Sequence, residues 1–243
     1  MPNWVRNQFT IRGPQEDLMK FVEDVKGDGP FDFNKLIPMP PELNVTSGSH
    51  EKEKMLFFLS DRLTMPEENI LQRNFDDVLR RHNIKEGTTV KCCFYNIERI
   101  LESLKNLVSR CDFNWDKFYD EGMCYSRNMA EYGYTTWYNW CIDVWGTKWN
   151  ACDSVVSVNE DHVEVMFNTA WSMPEGIFEA IAEKYPTLSI DGVFADEDLG
   201  SNCGTFTIVD GEFTIDDLSG DTEFACGVWG MEPETWDNDS EDF

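Results

Sequence analysis

No Lys, Arg or His follows Lys184, so the last 59 residues fold with no cation of their own to offset their carboxylates. The stretch FADEDLGSNCGTFTIVDGEFTIDDLSGDTEF, Phe194 to Phe224, holds Asp196, Glu197, Asp198, Asp210, Glu212, Asp216, Asp217, Asp221 and Glu223. An unpaired carboxylate is costly to bury. Strands from such a segment are therefore expected to turn their acids to water and only alternate residues to a core.

The imbalance is regional. Residues 1–130 carry 18 Lys/Arg against 21 Asp/Glu, whereas residues 131–243 carry only Lys148 and Lys184 against 25, within a formal net charge of −26. A one-signed surface attracts basic partners over distances of about a Debye length. The same sign disfavours direct nucleic-acid binding by this half, because phosphate contacts need cations.

Hydrophobic periodicity divides the chain into stretches of different type. NWVRNQFTIRG alternates Val5, Asn7, Phe9 and Ile11 with more polar neighbours, as a half-buried strand does. Gly13-Pro14 then opens a helix to about Lys26, with Leu18, Val22 and Val25 on one face, and GDGP ends it. The prolines of FDFNKLIPMPPELN forbid a regular helix or central strand and imply an ordered loop or extended arm. Residues 49–110 read as helical. Met55, Leu56, Leu59 and Leu63 mark one helix. Thr64 and Glu67 make a capping box for the next, which carries Leu71, Phe75, Val78 and Leu79, and a third carries Ile97, Ile100, Leu101, Leu104, Leu107 and Val108. Residues 112–134 show no clear period.

After Tyr134 the period falls to two. TWYNWCIDVWG reads as a strand with Tyr138, Trp140, Ile142 and Val144 on one face, and SVVSVNEDHVEVMF as a hairpin about Asn159–Asp161. Pro174 opens a helix with Ile177, Phe178, Ile181, Ala182 and Tyr185, which Pro186 closes. TLSIDGVFA and GTFTIVDGEFTI are strands, the latter folded at Asp210-Gly211, and FACGVWG reads as a last short strand. The order strand, helix, helical insertion, strand, strand, helix, strand describes an α+β, ferredoxin-like βαββαβ unit with extra strands. Its first strand and helix are expected in residues 1–30, the Pro-rich arm and helical insertion in 31–133, the rest of the sheet in 134–232, and a mobile acidic tail in 233–243.

Four of these segments, NWVRNQFTIRG, FDFNKLIPMPPEL, WYNWCIDVWGTKWNA and FNTAWSMPEGIFEAIAEKYPTLSI, together resemble the YubB-type ferredoxin-like family of bacteriophages and plasmids. The resemblance covers most of the chain. It implies a mobile-element origin and a ferredoxin-type domain with a helical insertion, and it implies no particular activity. The chain departs from the family pattern at DEDLGSNCGTF.

Several chemistries find little support. No run of about 18 apolar residues exists to span a membrane. MPNWVRNQFTIRG lacks an apolar signal core, so the expected setting is the reducing host cytoplasm. The eight cysteines show no CxxC spacing and are expected to be reduced and mostly buried, with neither a zinc site nor any cofactor implied. A Cys141 or Cys152 pair with His162 has no accompanying motif. Acid pairs such as Asp196/Asp198 or Asp216/Asp217 are common by chance in so acidic a chain. DEDLGSNCGTFT lacks the oxygen ligand, Gly and Glu that a calcium loop needs at its fifth, sixth and twelfth places. WGTKW sets Lys148 between Trp145 and Trp149, either to hold an anion and stack a ring or simply to pack beneath a helix.

The acidic field itself is the strongest functional signal. Either it only solvates the protein, or it imitates duplex DNA, which presents one charge per roughly 1.7 Å of axis. The sharper expectation is a non-enzymatic protein whose nine acids between Asp196 and Glu223 face the Arg and Lys of a basic host protein. A nuclease or a restriction- or CRISPR-type defence complex is the expected kind of partner. Two rival readings stay open: a nucleic-acid module using an aromatic sheet face, and an enzyme with a cleft near Lys148, Cys141 or His162.

Overall fold

The computed structural model describes residues 2–59, 97–108 and 114–232. They form two compact units, Met1–Pro38 with Cys141–Phe243, and Met39–Trp140.

The first unit is built on a six-stranded antiparallel sheet of order β2-β3-β1-β4-β5-β6. Its strands are β1 (Trp4–Arg12), β2 (Cys152–Val158), β3 (His162–Ala170), β4 (Ser189–Asp196), β5 (Cys203–Val209) and β6 (Glu212–Asp217). Strands β1 to β4 with helices α1 (Gln15–Asp24) and α5 (Glu175–Lys184) make the βαββαβ unit, in which β3 lies antiparallel between β1 and β2. The β5–β6 hairpin extends the sheet beyond β4. Its turn is Asp210-Gly211, both left-handed at φ 54° and 78°, as a two-residue hairpin turn matching the strand twist requires.

Alternation decides the two faces of the sheet. Val5, Asn7, Phe9 and Ile11 of β1 share one face with Val163, Val165 and Phe167 of β3, Ile190 and Phe194 of β4, and Phe206 and Ile208 of β5. All of these are buried beneath α1 and α5. The core there is mainly phenylalanine: Phe178 of α5 lies 4.2 Å from Phe206 and 5.4 Å from Phe9, and Phe31 stacks on Phe167 at 5.0 Å. Buried Asn7 donates Nδ2 to Thr169 Oγ1 and to the Val5 carbonyl, while among the described residues its Oδ1 takes no hydrogen bond.

Parts of three segments carrying the resemblance meet in this unit. Asp32 accepts from Asn150 Nδ2 at 2.7 Å, while the Phe33 N–H donates to Asn150 Oδ1 at 2.8 Å. Thr147 Oγ1 donates to the Ala170 carbonyl and Ser172 Oγ to that of Gly146. Gly146, at φ 86°, lies so close to the start of α5 that a Cβ would stand 2.8 Å from the Glu175 nitrogen.

Two readings of the sequence are corrected. TWYNWCIDVWG is not a strand but a helical turn, Trp137–Trp140, running into a π turn, Cys141–Trp145. A segment so rich in aromatics satisfies either period, and burial of Trp140, Cys141 and Trp145 follows helical spacing. FACGVWG belongs to a helix, α6 (Thr222–Trp229), which Asp221 caps by accepting the Phe224 N–H and left-handed Gly230 ends. This helix covers part of the face opposite α1 and α5, where Ala225, Val228 and Trp229 pack on Ala195, Cys203 and Val193, and leaves the rest of that face open.

The second unit contains α2 (Glu51–Leu59), α3 (Ile97–Val108) and α4 (Trp115–Tyr132). Residues 112–134, which show no period, contain α4, the longest of the described helices, capped by Asn114 accepting the Lys117 N–H and ended by left-handed Gly133. Met55 to Leu59 are all buried, with Ile100, Leu104, Phe118, Tyr125 and Ala130 around them. Gly122 lets α4 approach α2, since a Cβ there would stand 2.0 Å from the Lys54 carbonyl oxygen. Leu63, the Thr64–Glu67 capping box, the helix of Leu71–Leu79, and the tail from residue 233 lie outside the described residues.

Candidate partner-binding surface

Eight of the nine acids are exposed, as the cost of burying an unpaired charge requires. Asp196 is the exception, at 5% exposure. It ends β4 on the helix-covered face, and its Oδ1 accepts the Asp198 N–H at 2.8 Å. Burial, with lesser repulsion from Asp198 and Glu197, raises its pKa above the usual carboxylate value despite that bond. Asp196 is a loop-shaping group and is withdrawn from the surface set.

The other eight do not lie together on one face. Glu197 and Asp198 in the β4–β5 loop stand with Asp217, Asp221 and Glu223 around the end of β6 and the start of α6. The two chain segments are tied there by the Gly220 N–H to the Gly200 carbonyl and the Leu218 N–H to that of Cys203. Asp210 and Glu212 stand at the other end of the hairpin, where Glu212 pairs with Val209. Asp216, opposite Thr205, stands next to Asp217 at the α6 end of β6, on the other face of the strand. Between Glu212 and Asp217 the strand runs about 17 Å. The arrangement is two acidic ends joined along an edge strand.

Local bonds hold several of these carboxylates. Glu197 accepts the Trp4 N–H at 3.1 Å and Asp198 the Ser201 hydroxyl at 3.0 Å. Asp217, whose pKa is lowered by hydrogen bonds from Ser219, accepts that residue's N–H at 2.9 Å. Among the described residues, no Lys, Arg or His lies within ion-pair distance of any of the eight. Nearby cations are engaged elsewhere. Arg12 pairs with Asp191 at 3.2 Å, Lys184 with Asp24 at 3.5 Å, and the Arg6 guanidinium sits 4.2 Å over the Trp229 ring.

The secondary candidates separate. Trp145 is buried, donates Nε1 to the Ile37 carbonyl at 2.9 Å and packs on Phe33, so it is part of the frame. Lys148 lies 4.6 Å over Trp149 and equally 4.6 Å over Trp171, and Trp149 tilts against Trp4 at 5.9 Å. Trp171 was not singled out by the sequence. It is 43% exposed with a left-handed backbone, φ 73°, and its carbonyl accepts from Asn202 of the acidic loop. Its signal was the repeat of Trp either side of the one cation between residues 132 and 183.

The open face of the sheet carries a trough of about 770 Å³ lined by Gln8, Thr10, Glu164, Met166, Asp191 and Thr205, among others. The sheet phenylalanines point the opposite way, beneath α1 and α5. A sheet that stacks bases on its open face needs rings there, and this sheet turns its phenylalanines to the other face. The Cys–His pair is not assembled either. Cys152 stands opposite Asn168, six residues and about 20 Å along β3 from His162. Cys141 is buried, and burial pushes its thiol up to about 12. Among the described residues, no group of three or more His, Cys, Asp or Glu is placed to hold a metal ion. None of the described helices is long and apolar enough to cross a membrane.

No curated protein matches the chain. Among solved structures, Api92 from Yersinia pseudotuberculosis aligns over 89% of this chain and 99% of its own, at 11% identity and a TM-score of 0.43, a likeness too slight to bear on function. Residues 144–239, which carry β2 to α6, match the model of the ferredoxin-like domain in Api92-like proteins, and the fold of the sheet unit is ferredoxin-like.

Proposed function

We propose that the sheet unit binds a basic protein through the acids of its β4–β5 loop, β6 and the start of α6, and that it competes there with nucleic acid. The observation that carries this reading is the set of eight exposed carboxylates without a cationic partner among the described residues, while Arg6, Arg12 and Lys184 are engaged elsewhere. A duplex segment as long as β6 presents about ten phosphates. Eight carboxylates around the hairpin approach that density, and each is able to take a charge-assisted hydrogen bond from Arg or Lys.

The YubB-type resemblance adds a setting. A phage or plasmid gains from blocking the basic groove of a host nuclease or of a restriction- or CRISPR-type complex. The chain is then a non-enzymatic inhibitor acting in the host cytoplasm.

The test is affinity capture from host lysate at about 50 mM and about 500 mM salt. The bait is either the chain or a variant carrying Glu197→Gln, Asp198→Asn, Asp216→Asn, Asp217→Asn and Glu223→Gln. The expected result is a partner that the neutralised variant fails to hold, that leaves as salt rises, and that duplex DNA displaces. Equal capture by both baits, or recovery of nucleic acid alone, sinks the proposal.

A further inference from the structure

The sheet has two edges, and they differ. On β2 the register shifts between Cys152 and Val155 and Asp153 is left-handed at φ 51°, a bulge of the kind that blunts an edge against further pairing. The β6 edge is regular from Glu212 to Asp217. Glu212 pairs with Val209 across a two-residue turn, so residues 212, 214 and 216 bond to β5 while the N–H and C=O of Phe213 and Ile215 point outward. Among the described residues these outward groups take no hydrogen-bond partner.

The side chains along this edge sort by face. Glu212, Thr214 and Asp216 lie on the open face, whereas Phe213 and Ile215 lie on the other, Phe213 stacked on Phe178 at 5.8 Å and Ile215 37% exposed. We infer that β6 is a docking edge for an extended segment of another protein with alternating cationic and apolar side chains, added antiparallel as a seventh strand. Cations of the incoming strand face Glu212 and Asp216, and its apolar residues continue the Phe213–Ile215 face. A second copy of this chain is a poor occupant, because β6 against β6 sets like charges side by side. The inference rests on the basic-partner reading and gives it a geometry.

The probes are three heptapeptides added to the full chain at low salt. One alternates Lys and Val, the second holds the same residues as a Lys block followed by a Val block, and the third is the alternating peptide N-methylated at its valines. In an antiparallel pair the valines lie opposite Phe213 and Ile215, so methylation removes the amides that bond to β6. Binding and hydrogen exchange of the Phe213 and Ile215 amides are read by NMR. The alternating peptide is expected to bind at least about tenfold more tightly than either control and to slow exchange at both amides. Ile215→Pro is expected to abolish that preference, since it removes an N–H that the β5 ladder does not use. Should that variant unfold, the methylated peptide on the unaltered chain decides alone.

If all three peptides bind alike without amide protection, strand addition is overturned and the electrostatic reading survives. If none binds, both fail.

Discussion

Gly192 sits mid-strand in β4 directly opposite Phe206 of β5, and the Phe206 ring occupies the space where a side chain would be. A Cβ at Gly192 would stand 2.2 Å from Cζ, 2.4 Å from Cε1 and 2.7 Å from Cε2 of that ring. Carbon atoms rest at about 3.5–4.0 Å, so Gly192→Ala drives the ring back by more than about 1 Å. The ring has little room to move: Phe206 is 1% exposed, with Phe178 at 4.2 Å, Phe9 at 6.0 Å and Phe213 at 6.1 Å. Overpacking of this kind costs about 1–3 kcal/mol. Phe206→Ala alone leaves a cavity and costs about 3–5 kcal/mol. In the Phe206→Ala background, however, Gly192→Ala meets no ring and its methyl enters the void. There it is expected to be neutral or to stabilise by up to about 1 kcal/mol, because alanine loses less backbone freedom than glycine. Urea unfolding midpoints of the four proteins, with unchanged m-values, give the coupling. If Gly192→Ala costs the same in both backgrounds to within about 0.5 kcal/mol, the steric account of this glycine is wrong.

Three further outcomes follow from the polar groups. Because the pKa of buried Asp196 is raised, its ionised form is a cost to folding above the folded-state value, relieved as pH falls through it. Asp196→Asn, which keeps an acceptor for the Asp198 N–H, should raise the urea midpoint at neutral pH and lose that gain below the unfolded carboxylate pKa; an equal gain at both pH values refutes this. Asp32 behaves oppositely: burial opposes its charge, but donors from Asn150, Asn34 and Asp28 outweigh it and lower the pKa. Its stabilisation is full above the unfolded value and is lost as pH falls through the folded one, so Asn150→Ala should cost about 2 kcal/mol at neutral pH and less in acid. Cys141, buried with its thiol pushed up to about 12, should resist iodoacetamide in the native chain and react once unfolded, as mass spectrometry of the labelled peptide will show.

Much of the fold was legible because local signals agreed with tertiary need. The alternation in β1, the Asp210-Gly211 turn and the Pro174 helix entry each require one backbone conformation almost irrespective of surroundings. Alternation misled where aromatics crowd. Tyr134 to Trp145 suits either period, and only the packing of Trp145 on Phe33 and of Gly146 on α5 selects helical turns. For α6 the punctuation was present, Asp221 before and Gly230 after, but an eight-residue apolar run reads equally well as a strand.

The candidate surface divides along the same line. Composition alone determined that carboxylates without a local cation must crowd the C-terminal half and that most of them must face water, since neither charge balance nor the cost of desolvation depends on the fold. The register of β4, β5 and β6 decided the rest. It sent Asp196 inward, parted Asp210 and Glu212 from the acids at the far end of the hairpin, turned the sheet's phenylalanines away from solvent and left β6 as a regular edge. A strand's side chains alternate whatever its neighbours are, but which face meets a helix, and which strand ends the sheet, are set only when distant segments pair.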